Sequence, residues 1–359
     1  MYQVRRPARS TFETLRDQRY HLWEWGKPSP DRPPLWLLHG WMDVGASWQF
    51  VVDALTHDRH CVAPDWRGFG LTRAAHLPPD TDPPPYGAAD HYLFADYLAD
   101  LDFLIERVNR RLRRAAHAPV DLVGHSMGGN VAMLYAGVRP QRVRRLVNLE
   151  GFGLPASQPT QAPRRYAAWL DELHALHEGT LTLKTYPGVE GVARRLMKTN
   201  RRLSADRAHW LARHWGRPAE PAQPDGTWII RGDAAHKVRS SQLYRLDEVL
   251  TVHSGAMLVC IVCQLYRLDE VLAVHAAIEA PVLVVVASDD SLAQWFPHGE
   301  HSLAEFFRRL QVVPHCRIER VQDAGHMLHH DQPQRVAALI ETHLDAADPQ
   351  PAVARAAGN

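Results

Sequence analysis

The sequence predicts an α/β fold, a doubly wound and mostly parallel sheet interrupted by an inserted helical cap. Three observations lead there. Short apolar runs alternate with helix-patterned stretches through the first half of the chain. The stretch Gly124-His125-Ser126-Met127-Gly128-Gly129 joins a strand-length apolar run, Pro119-Val120-Asp121-Leu122-Val123, to a segment rich in Ala, Met and Leu. From Gly151 to about residue 278 the alternation stops, and it resumes at Pro281-Val282-Leu283-Val284-Val285-Val286.

The chain has 359 residues, 45% of them hydrophobic, with 11 Trp, enough for a substantial core. Its formal net charge of +1 gives no global field toward nucleic acid or a membrane surface. The densest basic cluster, Arg110-Arg111-Leu112-Arg113-Arg114, reads as a solvated helix end whose cations suit the negative end of the dipole. Met1 to Pro7 lacks the apolar run of a signal peptide, and no run approaches the roughly 18 residues of a membrane helix. A cytoplasmic protein without a membrane span is expected. Cys61, Cys260, Cys263 and Cys316 are scattered, and Cys260-Ile261-Val262-Cys263 has no second pair, so they read as small apolar residues. No metal and no cofactor are expected.

In order, 11–25 reads as two short strands around Asp17-Gln18, and Leu35-Trp36-Leu37-Leu38 as a buried strand delivering His39-Gly40-Trp41-Met42-Asp43. A helix is expected over 46–55, and a strand over 60–64 ending in Asp65-Trp66-Arg67-Gly68-Phe69-Gly70. Apolar residues at helical spacing (Leu93, Tyr97, Leu98, Leu101, Leu104, Ile105, Val108) predict a long helix over 92–113. The strand after Ser126 is Arg145-Leu146-Val147-Asn148-Leu149. The sequence thus divides into a first core part (1–153), a helical cap (154–278), a second core part (279–346) and a flexible tail (347–359). In the cap, helices are expected over 164–177 and 189–214, and the first strand run is Thr227-Trp228-Ile229-Ile230. Residues 242–253 recur at 264–275 with one difference, Thr251 against Ala273. Two near-identical copies read as a local duplication rather than a solenoid. Copy two leads into the sheet, and copy one adds a helix and an apolar flap to the cap.

Strand, Gly-flanked Ser, then helix is the setting of a nucleophile elbow. The turn is so tight that side chains two before and two after the Ser collide, which requires Gly at both places. A Ser hydroxyl needs a base to take its proton, and an acid to hold that base in one tautomer. Downstream, Ala287-Ser288-Asp289-Asp290 and Asp323-Ala324-Gly325-His326 lie on loops at the carboxyl ends of strands, on the side of Ser126. Ser126, an acid there and His326 fit the chain order Ser, acid, His. His329 and His330 share the loop of His326 and are given neighbouring or surface roles. Glu150, at the end of the strand after the elbow, is the alternative acid. The oxyanion needs two backbone N–H donors, from Met127 and Trp41. Asp65-x-Arg67-Gly68-x-Gly70 reads as a brace for the active-site loops.

With these residues assembled, the chain resembles the α/β-hydrolase superfamily over about residues 10–345. The carriers are His39-Gly40-Trp41, Asp65-x-Arg67-Gly68-x-Gly70, Gly124-x-Ser126-x-Gly128-Gly129, Ala287-Ser288-Asp289-Asp290 and Gly325-His326. His39-Gly40-Trp41-Met42-Asp43 and Leu196-Met197-Lys198-Thr199-Asn200-Arg201-Arg202-Leu203-Ser204 resemble its serine hydrolase-like branch. The family pattern has Gly where Ala287 stands, and the duplicated segment departs from it further. The resemblance implies an α/β-hydrolase fold and selects Asp290 over Asp289 as the acid. It implies a cofactor-free serine hydrolase cleaving a small-molecule carboxylic ester or a thioester, with His39, His125, His329 and Asp289 around the reacting groups. Acyl transfer, C–C hydrolysis and perhydrolysis use the same groups, and a non-catalytic binding protein on the same fold is the reading from another class.

Overall fold

A computed structural model describes residues 2–76, 89–156, 159–220, 226–239, 268–299 and 301–347. A hairpin of β1 (Arg9–Leu15) and β2 (Gln18–Trp25) opens the chain. Two fully buried four-residue strands follow, β3 (Leu35–Leu38) and β4 (Cys61–Pro64), separated by the short helix α1 (Gln49–Val52). A 3-10 turn, Gly45–Trp48, leads into α1 within the expected 46–55 segment. Then come the two-residue strand β5 (Arg73–Ala74), the long helix α2 (Phe94–Arg111), β6 (Val120–His125), α3 (Met127–Val138) and β7 (Val143–Leu149).

The cap supplies α4 (Ala162–His177), β8 (Thr185–Pro187), α5 (Gly188–Thr199), α6 (Ala205–Trp215), β9 (Gly216–Pro218) and β10 (Thr227–Ile230). After it come α7 (Leu268–Ala276), β11 (Val282–Ala287), α8 (Ser291–Trp295), α9 (Leu303–Leu310), β12 (Cys316–Val321), α10 (Leu328–Asp331) and α11 (Pro333–Leu344).

The main sheet runs β1-β2-β4-β3-β6-β7-β11-β12, with β5 on β2. It is antiparallel at β1/β2 and β2/β4 and parallel from β4 to β12. Because successive side chains of a strand face opposite ways, each apolar strand feeds two cores. Leu122, Leu146 and Val284 join Leu101, Leu104 and Ile105 of α2 and Val131 of α3 on one face. Val123, Val147, Leu283 and Val285 join Val51 and Val52 of α1 and Val336 and Ile340 of α11 on the other. The parallel strands therefore end together at one carboxyl edge, with His125 opposite Leu149 and Ala287 opposite Val321.

The cap is not purely helical, which corrects the sequence expectation. Strands β8, β10 and β9 form a small antiparallel sheet, and the helix expected over 189–214 is two helices with a break at 200–204. Within that break the extended backbone of Ser204 cannot continue the helix. The cap is tied to the main sheet by its own core, where Val192, Leu196, Leu211 and Trp215 meet Val44, Ala46 and Phe50. Trp215 Nε1 also donates to the carbonyl of Met42 at 2.8 Å. Copy one of the duplication (242–253), the flap after it, Cys260 and Cys263, and residues 348–359 of the tail lie outside the described residues. Of copy two, α7 is described. Cys61 and Cys316 are free thiols.

The joint between β6 and α3 is closed tightly by backbone. A Cβ on Gly128 would lie 2.2 Å from the Leu38 carbonyl oxygen, and one on Gly124 would lie 2.2 Å from the carbonyl oxygen of Gly128. Both contacts are with backbone, which cannot swing aside. Gly128→Ala and Gly124→Ala are each expected to destabilise the protein by about 1–3 kcal/mol, the usual cost of overpacking. Urea unfolding midpoints read this directly, and a parent-like midpoint for both variants contradicts the account.

Candidate active site

Ser126 stands at the reversal between β6 and α3 with φ 51° and ψ −117°. That is left-handed backbone for a residue with a side chain, and its N–H is held by the Leu149 carbonyl at 2.9 Å. The strain persists because the Gly joint fixes both arms. Ser126 is partly exposed and precedes the positive end of α3. Met127 opens that helix, so its N–H is one of the donors a helix leaves without an internal acceptor. The β3 loop passes directly over the Ser, since a Cβ on Gly40 would lie 3.2 Å from Ser126 Cβ. Trp41 follows Gly40 in that loop, and its side chain is exposed.

His326 lies in the loop after β12, partly exposed beside the edge of the Trp295 ring at 4.4 Å. Its Nδ1 is 3.3 Å from Glu150 Oε2. Glu150 follows β7 with φ 54°, a turn that swings its carboxylate across the neighbouring end of β11. There Oε1 accepts the N–H of Ala287 at 2.7 Å and Oε2 accepts the hydroxyl of Ser291 at 2.9 Å. Burial pushes the Glu150 carboxyl up to about 7, against the pull of those two donors. Burial also lowers His326 to about 3, so its imidazole is neutral at ordinary pH.

Asp290, the acid that the resemblance selects, is not the partner of His326 in this geometry. It is exposed and caps α8, its Oδ1 accepting the N–H of Ala293 at 2.9 Å. Asp289 is paired with Arg202 of the cap at 2.7 and 3.1 Å, which joins cap and sheet. His39 is buried, with Nδ1 on the Gly40 carbonyl at 2.7 Å and Nε2 accepting from Trp66 N at 3.0 Å. Those bonds fix its tautomer and shape the β3 loop. His125 Nε2 donates to the His326 carbonyl at 2.8 Å and thereby holds the backbone of His326. His329 is buried and stacks between His125 and His330, at 4.2 Å from each ring. The Asp65 motif binds loops together. Asp65 accepts from Gly45 N, Leu71 N and His21 Nδ1 at 2.7, 2.9 and 2.8 Å. Arg67 clamps Asp100 at 2.5 and 2.9 Å.

Two features escaped sequence reasoning. His330 is buried rather than on the surface, and Ser47 links it to Asp43 through bonds of 3.1, 2.7 and 2.6 Å. Ser10 Oγ also lies 2.6 Å from His21 Nε2, whose Nδ1 meets Asp65, which makes a second Ser–His–Asp chain of hydrogen bonds. Ser10, however, sits within edge strand β1 and not at a strained turn before a helix.

Comparisons with known proteins agree with this architecture. The family described as the alpha/beta hydrolase fold matches residues 33–333. A serine hydrolase-like protein of Danio rerio is 32% identical over 136 residues, covering 38% of this chain and 36% of that protein. A 2-hydroxy-6-oxo-2,4-heptadienoate hydrolase of Pseudomonas putida is 32% identical over 124 residues, covering 34% of this chain and 38% of that protein. The chain thus matches little more than a third of the length of either relative. The thioesterase domain from the curacin biosynthetic pathway superposes with a TM-score of 0.68 at 22% identity, over 94% of this chain and 99% of that one, a likeness of fold.

The buried groups at the carboxyl edge make stability depend on pH. Burial lowers His39 to about 4, His326 and His330 to about 3, and His125 and His329 well below the ordinary histidine value of 6.5. Opposing them are two carboxyls raised to about 7, Asp43 and Glu150. Between about pH 4.5 and 6.5 the unfolded chain takes up protons on these five histidines, whereas in this cluster the folded chain holds extra protons on Asp43, Glu150 and Asp331, whose carboxyl burial also raises. Stability from this cluster is therefore present above pH 6.5 and lost as pH falls. The urea midpoint is expected to drop steadily from pH 7 to 5, and a flat or rising midpoint over that range contradicts the assignment.

Proposed function

We propose, starting from the fact that this chain belongs to the alpha/beta hydrolase fold family, that it is a serine hydrolase cleaving a carboxylic ester. Ser126 is the nucleophile, His326 the base and Glu150 the acid that orients it. The observation carrying this reading is the 3.3 Å approach of His326 Nδ1 to Glu150, with the His326 backbone tied to His125, the chain neighbour of a Ser held at φ 51°. Ser126 Oγ attacks the acyl carbon while His326 Nε2 takes its proton, and the carbonyl oxygen becomes an oxyanion. The N–H groups of Met127 and Trp41 receive that charge, and losing one such donor would cost about 3 kcal/mol of transition-state stabilisation. His326 then protonates the departing alcohol. Water, deprotonated by the same imidazole, hydrolyses the acyl-enzyme and restores Ser126. Glu150 accepts from Nδ1–H throughout, which keeps the lone pair of Nε2 toward the Ser.

C–C bond hydrolysis is the second reading, favoured by the likeness to the P. putida dienoate hydrolase. It would use the same His326 and Ser126, and a substrate panel of esters against a vinylogous 1,5-diketone separates the two.

Fluorophosphonate labelling read by intact mass tests the nucleophile without a guess at substrate. One adduct on wild type and none on Ser126→Ala is expected, with Ser10→Ala labelled like wild type. Adduct loss in Ser10→Ala and not in Ser126→Ala would transfer the reactive centre to the edge strand. On an ester that wild type turns over, Ser126→Ala is expected to lower kcat by up to about a millionfold, the scale of triad knockouts.

The raised Glu150 gives a pH prediction of its own. Its carboxylate is needed ionised, so kcat/KM is expected to fall as pH drops through about 7. A rate that holds constant down to pH 5 would mean that the acid on His326 is an ordinary, solvated carboxylate.

A further inference from the structure

We infer that Asp43, His125 and His329 form a binding site for a divalent transition-metal ion of the Zn(II) type, directly behind Ser126. One donor atom from each of the three residues lies within 4.8 Å of the other two. All three side chains are buried, with 6%, 2% and 1% of their surfaces exposed. Two imidazoles and one carboxylate are the ligand set of catalytic zinc sites, and imidazole donors favour Zn(II), Co(II) or Ni(II) over the oxygen-seeking Mg(II) and Ca(II).

An independent observation also points to a ligand. Nδ1 of His125 and Nδ1 of His329 are both buried without a hydrogen-bond partner among the described residues. A carbonyl oxygen only accepts, so the 2.8 Å contact of His125 Nε2 with the His326 carbonyl puts the His125 proton on Nε2. Nδ1 is thereby left with its lone pair facing the buried interior, the form in which histidine binds a metal. An unsatisfied buried acceptor costs about 1–3 kcal/mol, and a coordinated ion removes that cost. Asp43 accepts hydrogen bonds from Ser47 Oγ and Val44 N, which are neutral donors.

The 4.8 Å limit on the donor separations is wider than a coordinated set allows. Around a tetrahedral ion with bonds of about 2.0–2.1 Å to nitrogen, ligands lie about 3.3 Å apart. Binding must therefore draw the three side chains together by up to about 1.5 Å, with water completing the shell. The ring stack of His125, His329 and His330 would shift with them, and His125 holds the backbone of His326. Resting on the proposed hydrolase mechanism, an ion here inhibits. The pull on His125 displaces the backbone of His326 and with it the base.

The test separates binding from catalysis. Ser126→Ala protein is titrated with Co(II), following the visible d–d bands of a tetrahedral site, and with Zn(II) by calorimetry. One ion per chain is expected, and adding His329→Gln to that background should weaken binding by at least about tenfold. Asp43→Asn is the second variant, with folding checked for both by circular dichroism. Zn(II) should also lower wild-type kcat/KM, reversibly with a chelator. Absence of a tetrahedral Co(II) spectrum, or stoichiometric binding that both folded variants retain, overturns the proposal. The second result would assign the ion to surface histidines among the 22 in the chain.

Discussion

The reversal from β6 into α3 leaves no room for a Cβ at Gly124 or Gly128, and the placement of the reactive groups follows from that steric limit. A Cβ at either position would meet a backbone carbonyl at 2.2 Å. With both arms fixed, Ser126 is held in left-handed backbone, its hydroxyl raised above the sheet and its helix pressed against β3. Packing of the two apolar faces then aligns the neighbouring strand ends at the same edge. Glu150 after β7, the loop after β12 and the β3 loop consequently lie at that same edge.

Much of this was legible because it is periodic or local. Apolar strand runs, the helical spacing of Leu101, Leu104, Ile105 and Val108, and the Gly spacing around Ser126 each encode a structural requirement within a few residues. The acid was less legible. Glu150 and Asp290 both stand just beyond buried strands, both fall between Ser126 and His326, and β7 and β11 are neighbours in the sheet. What separates them is side-chain direction. Asp290 lies one residue before α8 and caps it, whereas the left-handed turn at Glu150 carries a longer side chain across the end of β11 to His326. A signal existed in the sequence: a lone carboxylate after the apolar run Leu146 to Leu149, with Gly following, has no surface role to explain it.

The small sheet of the cap was hidden for another reason. Its strands β8 and β9 have three residues each and contain Pro or Gly, too short for an alternating pattern to register. The histidine cluster was hidden by distance along the chain. Asp43 follows β3, His125 ends β6, and His329 and His330 lie in α10, so only the folding of α10 onto α1 brings them together. Burying so many titratable groups beside the nucleophile serves one physical end. A neutral imidazole stack carries no charge that must be solvated, so it packs against Trp48 and Phe50 like an apolar layer.

The central claim is that Glu150, and not Asp290, is the carboxylate that orients His326. Measuring kcat/KM for Glu150→Gln and Asp290→Asn side by side on one ester tests it most directly. Glu150→Gln is expected to lose about four orders of magnitude, the cost of a wrongly held tautomer. Asp290→Asn should remain near wild type, because Asn caps a helix about as well as Asp. The reverse pattern, with a large loss in Asp290→Asn and a mild one in Glu150→Gln, would contradict the account.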